Sequence, residues 1–237
     1  MIIKDLVEIN RRLSYDLWNL SFFSGKTSGL SPRLIFPKER KKNIKRISEQ
    51  EARILYCNIL NNLNYFYSIE TPTENTFKRT AHRPLSALFD LTLYTYDSKF
   101  NRKVNVEFKA KSVGPESIRK DIEKIIIEKK IGNWVHILKN IDRATLSLLF
   151  DKFIGPISKY FMQINNVSIL FCFCILEKEF SLVKHLNYNV SSKENIVNIL
   201  EDFFSLSKKN NLNNISNKKV GDQKDILSKN NWLIIEK

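Results

Sequence analysis

Cysteine is scarce in this chain, and the few that occur do not form a disulfide framework. The three residues are Cys57, Cys172 and Cys174. The last two lie in the apolar run VSILFCFCIL, which predicts a buried strand, and no further cysteine or histidine cluster completes a zinc site. We therefore expect small core thiols in a reducing compartment, which favours a cytoplasmic protein.

Long hydrophobic runs are also lacking. No segment approaches the length of a transmembrane helix, and the first ten residues, MIIKDLVEIN, are interrupted by charge too early for a secretory signal. An amphipathic helix is predicted over residues 2–20, but Asp5, Glu8 and Asp16 within it oppose binding to an anionic membrane. The sequence contains no internal repeat and no zinc-finger-like base-reading motif. We expect no membrane partner.

Positive charge is what the chain has in excess. Its 237 residues carry 39 Lys and Arg against 25 Asp and Glu, a formal net charge of +14. Such an excess favours a polyanionic partner, nucleic acid first. A basic run precedes the second predicted helix, and we expect it to contact phosphates, with ordinary solvation as the alternative. Its members are Arg40, Lys41, Lys42, Lys45 and Arg46.

Hydrophobic periodicity predicts an α/β protein with a central mixed sheet flanked by helices. A helix should begin at Ser48, which forms a capping box with Glu51. The next predicted elements are strands 64–70, 86–96 and 103–110, a helix from Pro115 to about residue 130, and a strand at 133–138. Later elements are a helix at 143–162 interrupted near Pro156, a strand at 167–176, a helix at 193–207 and a final strand in NWLIIEK.

Three regions follow from this order. Residues 1–46 form a helical and basic extension, residues 47–180 a core, and residues 181–237 a helical and polar extension, with a single compact domain as the alternative.

Two neighbouring strands carry ionisable side chains at positions that alternate with apolar ones. Asp90 lies in the middle of the apolar strand SALFDLTLY, where a carboxylate needs a partner or a metal. In the next strand, VNVEFKAKS, Glu107 and Lys109 share one face. If the hairpin turns symmetrically over residues 97–102, opposed positions sum to about 199, which places Lys109 opposite Asp90 and Glu107 diagonally adjacent.

This arrangement suits metal-assisted hydrolysis. Two carboxylates on rigid strands suit Mg²⁺, with Mn²⁺ as a substitute, because these ions prefer oxygen ligands. The metal activates water for attack on a phosphodiester and stabilises the developing charge, and an adjacent lysine orients that water. The alternative is a cross-strand salt bridge on a solvent-facing sheet.

These residues, together with the order helix, three strands, helix, strand over residues 48 to 139, resemble the PD-(D/E)XK nuclease superfamily. The matching motif is Asp90 followed, after sixteen intervening residues, by Glu107-Phe108-Lys109. Phe89 stands before Asp90, at the position where the PD-(D/E)XK motif has its proline. The resemblance implies a restriction-endonuclease-like αβββαβ core. It also implies that Asp90, Glu107 and the Phe108 carbonyl bind the metal and that Lys109 serves the nucleophilic water.

The family also places a glutamate of the first core helix in the site. Glu51 is our candidate, and Glu49 is the alternative. Arg83 in the loop before Asp90 and Lys111 after Lys109 are candidate phosphate contacts, with simple solvation as the alternative for both. His136 is expected to be a core histidine rather than a general base.

The sequence therefore predicts a Mg²⁺-dependent nuclease that cuts DNA, as an endonuclease in restriction or in defence against foreign DNA. RNA as a substrate, a homodimer and an accessory protein partner are left open. The rival prediction is a non-catalytic, basic nucleic-acid-binding protein on a degenerate nuclease-like fold.

Overall fold

A computed structural model describes residues 3–20, 34, 36, 47–78, 84–141, 145–161, 166–189, 195–207, 212 and 220–237. Within these residues the chain forms both helices and strands. The elements are α1 (Ile3–Asn19), α2 (Glu49–Asn62), β1 (Phe66–Lys78), β2 (Pro84–Asp97), β3 (Lys99–Ala110), α3 (Pro115–Ile127), β4 (Ile131–Leu138), α4 (Thr145–Phe161), β5 (Asn166–Ile175), β6 (Phe180–Asn189), α5 (Ile196–Phe203), α6 (Val220–Lys229) and β7 (Leu233–Glu236).

All the strands named above form one mixed sheet whose spatial order is the order of the chain, β1 to β7. Strands β1, β2 and β3 pair antiparallel, β3, β4 and β5 pair parallel, and β5, β6 and β7 again pair antiparallel. The predicted α/β class with a mixed sheet flanked by helices is therefore confirmed. In the region predicted as a C-terminal helical and polar extension, β6 and β7 continue the same sheet.

Helices cover both faces of the sheet because its central strands are apolar on both sides. Helices α1 and α2 pack on one face, around Leu6, Ile9 and Tyr56, and α3 and α4 pack on the other, around Ile122 and Phe153. Strand β4 is buried along almost its whole length, as expected for a parallel strand covered on both faces. No helix of the described residues is long and apolar enough to cross a membrane.

The approach of α3 to β4 depends on a glycine. A Cβ added to Gly132 would lie 2.3 Å from Cγ2 of Ile125 on α3. That distance is far below ordinary contact, so a side chain at this position would push α3 away from the sheet. The lack of a side chain at Gly132 therefore lets α3 lie close above strands β3 and β4.

Several predicted elements differ from those observed. Residues 71 to 78, predicted as loop, extend β1, with a register shift between Pro72 and Thr76. Helix α4 runs through Pro156 without the predicted interruption. Strand β6 and helix α6 were not predicted from the sequence. Cys172 and Cys174 are free and buried, as expected.

The predicted hairpin register was wrong by three residues beside the turn and by two from Leu93 inward. Asp97 pairs with Lys99 across Ser98, whose φ is +59°, so the turn is much tighter than the six residues expected. A second irregularity follows, since Leu93 pairs with Val104 but Tyr94 pairs with Arg102. Lys109 therefore does not lie opposite Asp90. An even shift keeps the same side chains on each face, so the predicted grouping survives the error.

Candidate active site

The polar face of β3 is buried rather than exposed to solvent. Val106 and Phe108 point to the α2 side, where the rings of Phe108 and Tyr56 lie 5.4 Å apart. The alternate residues face α3, and there Glu107 is only 2% exposed and Lys109 only 9%. The expected alternative of a solvent-facing strand is therefore wrong, although ion pairs are present.

Asp90 lies at an irregularity in β2. Phe89 packs in the core beneath α3, whereas Leu91 packs in the core beneath α2. Residues two apart in a regular strand share one face, so β2 must rotate at Asp90. The carboxylate then takes the place of a strand partner, because its Oδ2 accepts a hydrogen bond of 2.7 Å from the main-chain amide of Phe108. Asp90 is thereby held against the segment that bears Glu107 and Lys109.

Helix α3 contributes two further ionisable side chains, Asp121 and Lys124. Lys109 Nζ lies 2.9 Å from Asp121 Oδ2 and 3.5 Å from Glu107 Oε2. Lys124 Nζ lies 2.5 Å from Glu107 Oε1 and 2.8 Å from Asp121 Oδ1. Lys124 also donates to the carbonyl of Leu88 on β2, at 2.9 Å. Two lysines and two carboxylates thus alternate in one buried network.

Neither residue of α3 was predicted from the sequence, although a signal was present. Asp121 stands next to Ile122 and three residues after Ile118, so it falls on the apolar stripe that packs on the sheet. Lys124 follows three residues later, beside Ile125. Charged residues on the buried side of an amphipathic helix need partners, and here those partners are Glu107 and Lys109.

Helix α2 reaches the network through Glu49, not through the predicted Glu51. Glu49 Oε1 accepts a hydrogen bond of 3.3 Å from the main-chain amide of Ala110, at the end of β3. Glu51 instead accepts a hydrogen bond from the hydroxyl of Ser48. Ser48 is the N-cap residue, but its side chain bonds to Glu51 rather than to the helix backbone, so the predicted capping box is only partly formed. We call the following set the lysine–carboxylate cluster: Glu49, Asp90, Glu107, Lys109, Asp121 and Lys124.

Burial and like charges shape the titration of this cluster. Burial, with Asp121 and Asp90 nearby, raises the pKa of Glu107 to about 8 despite the neighbouring lysines. Burial likewise raises the pKa of Glu49. Burial alone would lower the pKa of Lys109, but Glu107 and Asp121 outweigh it and raise that pKa. The lysine is therefore held charged, whereas Glu107 requires a cation or a proton at neutral pH.

The donor set is chemically suited to a hard divalent cation. Four carboxylates face two ammonium groups in the cluster, so full ionisation leaves an excess of two negative charges. Carboxylate and carbonyl oxygens are the ligands that Mg²⁺ prefers. However, within the described residues no three Asp, Glu, His or Cys side chains are arranged around one point to hold a metal ion. A metal ion at Glu107 would therefore have to replace Lys124 at the carboxylate oxygen that this lysine contacts.

A cavity of about 370 Å³ lies between β1 and α3 and reaches Lys124. Its walls carry both signs of charge along α3. The lining residues are Thr76, Phe77, Glu116, Arg119, Lys120, Glu123, Lys124 and Ile127. Lys124 thus belongs both to the cluster and to the wall of this cavity.

His136 lies beside Lys109 in the parallel pairing of β3 and β4. It is fully buried, and Nε2 lies 2.7 Å from the carbonyl oxygen of Lys111. Burial lowers the pKa of His136 to about 4, so the ring is neutral near pH 7. Its position agrees with the expected core histidine.

The predicted phosphate contacts lie mostly outside the described residues. These are Arg40, Lys41, Lys42, Lys45, Arg46 and Arg83. Lys111 is exposed at the end of β3, with a φ of +64°. Its role in binding nucleic acid stays a prediction.

Comparison of the chain with protein-family models, with curated proteins and with solved structures found no match.

Proposed function

We propose that this protein is a metal-dependent nuclease that hydrolyses DNA phosphodiester bonds, an endonuclease of the PD-(D/E)XK type acting in restriction or defence against foreign DNA. The observation that carries the proposal is the connection of Asp90, Glu107 and Lys109 within one buried cluster at adjacent strands. The order α2-β1-β2-β3-α3-β4 supports it, because it agrees with the αβββαβ core that the resemblance implies.

Asp90, Glu107 and the carbonyl of Phe108 are the residues proposed to hold Mg²⁺ or Mn²⁺. When bound, such an ion supplies Lewis-acid stabilisation of the negative charge that develops at phosphorus. Asp90 is already oriented by its bond to the Phe108 amide. Glu107 is buried and therefore acts in a medium where charges interact strongly.

Lys109 is the proposed catalytic lysine. Its ammonium orients the attacking water and offsets the charge of the transition state. Asp121 is proposed as a positioning residue, since it lies 2.9 Å from the Lys109 ammonium and helps to keep it charged. Lys124 compensates the negative charge of Glu107, and a bound metal would take the place of this lysine.

A second candidate function is favoured by the Lys124–Glu107 ion pair itself. An internal lysine that permanently neutralises Glu107 suits a non-catalytic, basic nucleic-acid-binding protein. If this candidate is correct, the protein should bind nucleic acid in a salt-sensitive manner without metal-dependent cleavage, and Asp90→Asn should leave that binding unchanged.

The test is cleavage of supercoiled plasmid DNA by the purified full-length protein with Mg²⁺ or Mn²⁺. We expect the wild type to nick or linearise the plasmid and Lys109→Ala to lose this activity. Lys229→Ala is the matched control, because Lys229 is an exposed lysine on α6. Equal cleavage by wild type and Lys109→Ala would overturn the assignment, and absence of cleavage in both, with retained DNA binding, would favour the second candidate.

A further inference from the structure

An exposed group of aromatic rings lies at the hairpin end of strands β1 to β3. Phe66, Tyr96 and Phe100 are 51%, 60% and 58% exposed. Phe100 lies 5.2 Å from Phe66, 5.1 Å from Tyr96 and 6.2 Å from Tyr94, measured between ring centroids. We call these four residues the aromatic patch. The other strongly exposed hydrophobic side chains of the described residues are aliphatic, on helices as for Ile54 and Leu148 or on strands as for Ile69 and Leu88.

The aromatic patch shares a sheet face with the lysine–carboxylate cluster. Tyr94 pairs with Phe66 and its hydroxyl bonds to Ser68, which pairs with Thr92. The hydroxyl of Thr92 donates to Asn105 across the strands, and Asn105 alternates with Glu107 along β3. One face of the sheet therefore leads from the cluster to the patch.

The separation suits a substrate strand rather than a single nucleotide. Tyr96 is the sixth residue after Asp90 on β2, so the two lie about 20 Å apart at the usual rise of a strand. Several successive nucleotides would be needed to contact both places. The patch is thus a subsite distant from the bond that would be cut.

The surroundings of the patch carry positive charge. Arg102 pairs with Tyr94 and so lies on the same face. Lys99 follows the turn, and the loop with Lys129 and Lys130 leads into Ile131, which pairs with Val104 on β3. Asp97 is the acid of the turn, and Arg102 is already paired with the buried Glu128 and the exposed Glu74, so the cations proposed to contact phosphates are Lys99, Lys129 and Lys130.

We propose that the aromatic patch binds the unpaired bases of a single-stranded segment of nucleic acid, DNA or RNA, whose phosphates run along the neighbouring basic residues. Exposed rings on a sheet provide stacking surfaces that every base can use, and a cationic border retains the backbone. Aromatic rings beside cations fit this occupant better than they fit an apolar protein surface, which would not require the charge. For the proposed nuclease, the inference specifies substrates that contain unpaired nucleotides.

The test is a binding measurement that requires no cleavage. Fluorescence anisotropy of labelled oligothymidine, oligouridine and a duplex is recorded with the full-length protein in EDTA. We expect Phe100→Ala and Tyr96→Ala each to weaken single-strand binding roughly tenfold, since a stacked base contributes about 1–3 kcal/mol. Duplex binding should stay unchanged, and the two single strands distinguish DNA from RNA.

Three controls make the test specific. Leu148→Ala removes an exposed apolar side chain on α4, 62% exposed, and should leave binding unchanged. Phe100→Leu retains apolar area but loses the aromatic face, so it should weaken binding nearly as much as alanine. An oligonucleotide with abasic sites retains the phosphates and should bind as weakly to wild type as oligothymidine binds to Phe100→Ala.

Several results would overturn the proposal. These are equal affinity for the abasic strand, unchanged affinity in both alanine variants, or a dimer in light scattering that Phe100→Ala disrupts without any strand binding by wild type. Because the assay contains no divalent metal, patch-dependent binding by a protein that cuts no plasmid would sustain this inference while removing the nuclease. Plasmid cleavage combined with binding that does not depend on the aromatic patch would sustain the nuclease and remove this inference.

Discussion

Glu107 and Glu128 are both buried glutamates on the α3 side of the sheet, but their partners differ. The Glu128 side chain is 0% exposed and accepts hydrogen bonds from the main-chain amides of Glu74 and Asn75, at 2.9 and 2.8 Å. Arg102 adds an ion pair at 3.8 Å. The Glu107 side chain is 2% exposed, and the ionic partners that contact it are the lysine side chains of the cluster.

The difference separates a structural carboxylate from one available for chemistry. Glu128 is satisfied by main-chain donors of β1, so it holds the irregular part of that strand to the end of α3. Glu107 is compensated by side-chain ammonium groups, which can exchange with another cation, and its pKa is raised by burial and by the neighbouring Asp121. We therefore expect substitutions of the two glutamates to affect different properties.

The largest expected effect is the loss of cleavage in Glu107→Gln. Removing a proposed metal ligand should lower plasmid cleavage roughly a thousandfold, about 4 kcal/mol in activation free energy. Glu128→Gln, assayed at a temperature where it is folded, should cleave like wild type. Equal losses in the two variants would contradict the distinction drawn between these glutamates.

The next effect is on stability, for which Glu128 matters more than Glu107. Glu128→Ala leaves two main-chain amides and Arg102 without their buried acceptor, so the free energy of unfolding should fall by about 3 kcal/mol. Glu116→Ala is the control, because Glu116 is 62% exposed and pairs with Arg119 on the surface of α3. Urea unfolding followed by circular dichroism measures both variants. Unchanged stability of Glu128→Ala would remove its structural role.

The sequence alone was sufficient to group Asp90, Glu107 and Lys109, because alternation along strands decides which side chains share a face. It was insufficient for their exact neighbours. The tight turn at Ser98 and the shift after Leu93 depend on local backbone geometry that a hydrophobic pattern does not encode. Glu107 and Lys109 lie on the predicted face of β3, and Asp90, where β2 rotates, is joined to them through the amide of Phe108, so the grouping held.

Contributions from helices were harder to predict than those from strands. Glu49 and Glu51 both flank the apolar face of α2, so periodicity cannot choose between them, and their three-dimensional neighbours decide. Asp121 is one of several charged residues on α3, and its partner Lys109 is identified only by the placement of this helix above β3. Strand β6 was not predicted because its sequence, FSLVKHLNYN, mixes polar and apolar residues without strict alternation.

A smaller effect distinguishes Glu107 by its pH dependence in EDTA. Its folded pKa of about 8 exceeds the ordinary value of 4.5, so its contribution to stability is present below pH 4.5 and is lost as the pH rises to 8. Glu107→Gln does not titrate and should gain stability relative to wild type across this window, by about 1.4 kcal/mol for each unit of pH. Parallel pH profiles of the two proteins in chemical denaturation would show that the pKa of Glu107 is not raised.

The smallest effects come from the two glutamates of α2, which repeat the contrast between Glu107 and Glu128 within a single turn. Glu49 reaches Ala110 at the cluster, and burial raises its pKa, so Glu49→Gln should lower cleavage about tenfold, or 1.4 kcal/mol. Glu51 bonds to Ser48 at the start of the helix, so Glu51→Gln should cost about 0.5 kcal/mol of stability and leave cleavage unchanged.

Plasmid cleavage and urea unfolding, measured on both variants, distinguish these roles. If Glu51→Gln lowered cleavage and Glu49→Gln did not, the glutamate contributed by α2 would be the one first expected from the sequence, and the bond from Glu49 to Ala110 would serve only to hold α2 against β3. If neither variant changed cleavage, the cluster would act through the strands and α3 alone. The Lys109–Asp121 ion pair would then be the contact between β3 and α3 on which the orientation of the proposed catalytic lysine depends.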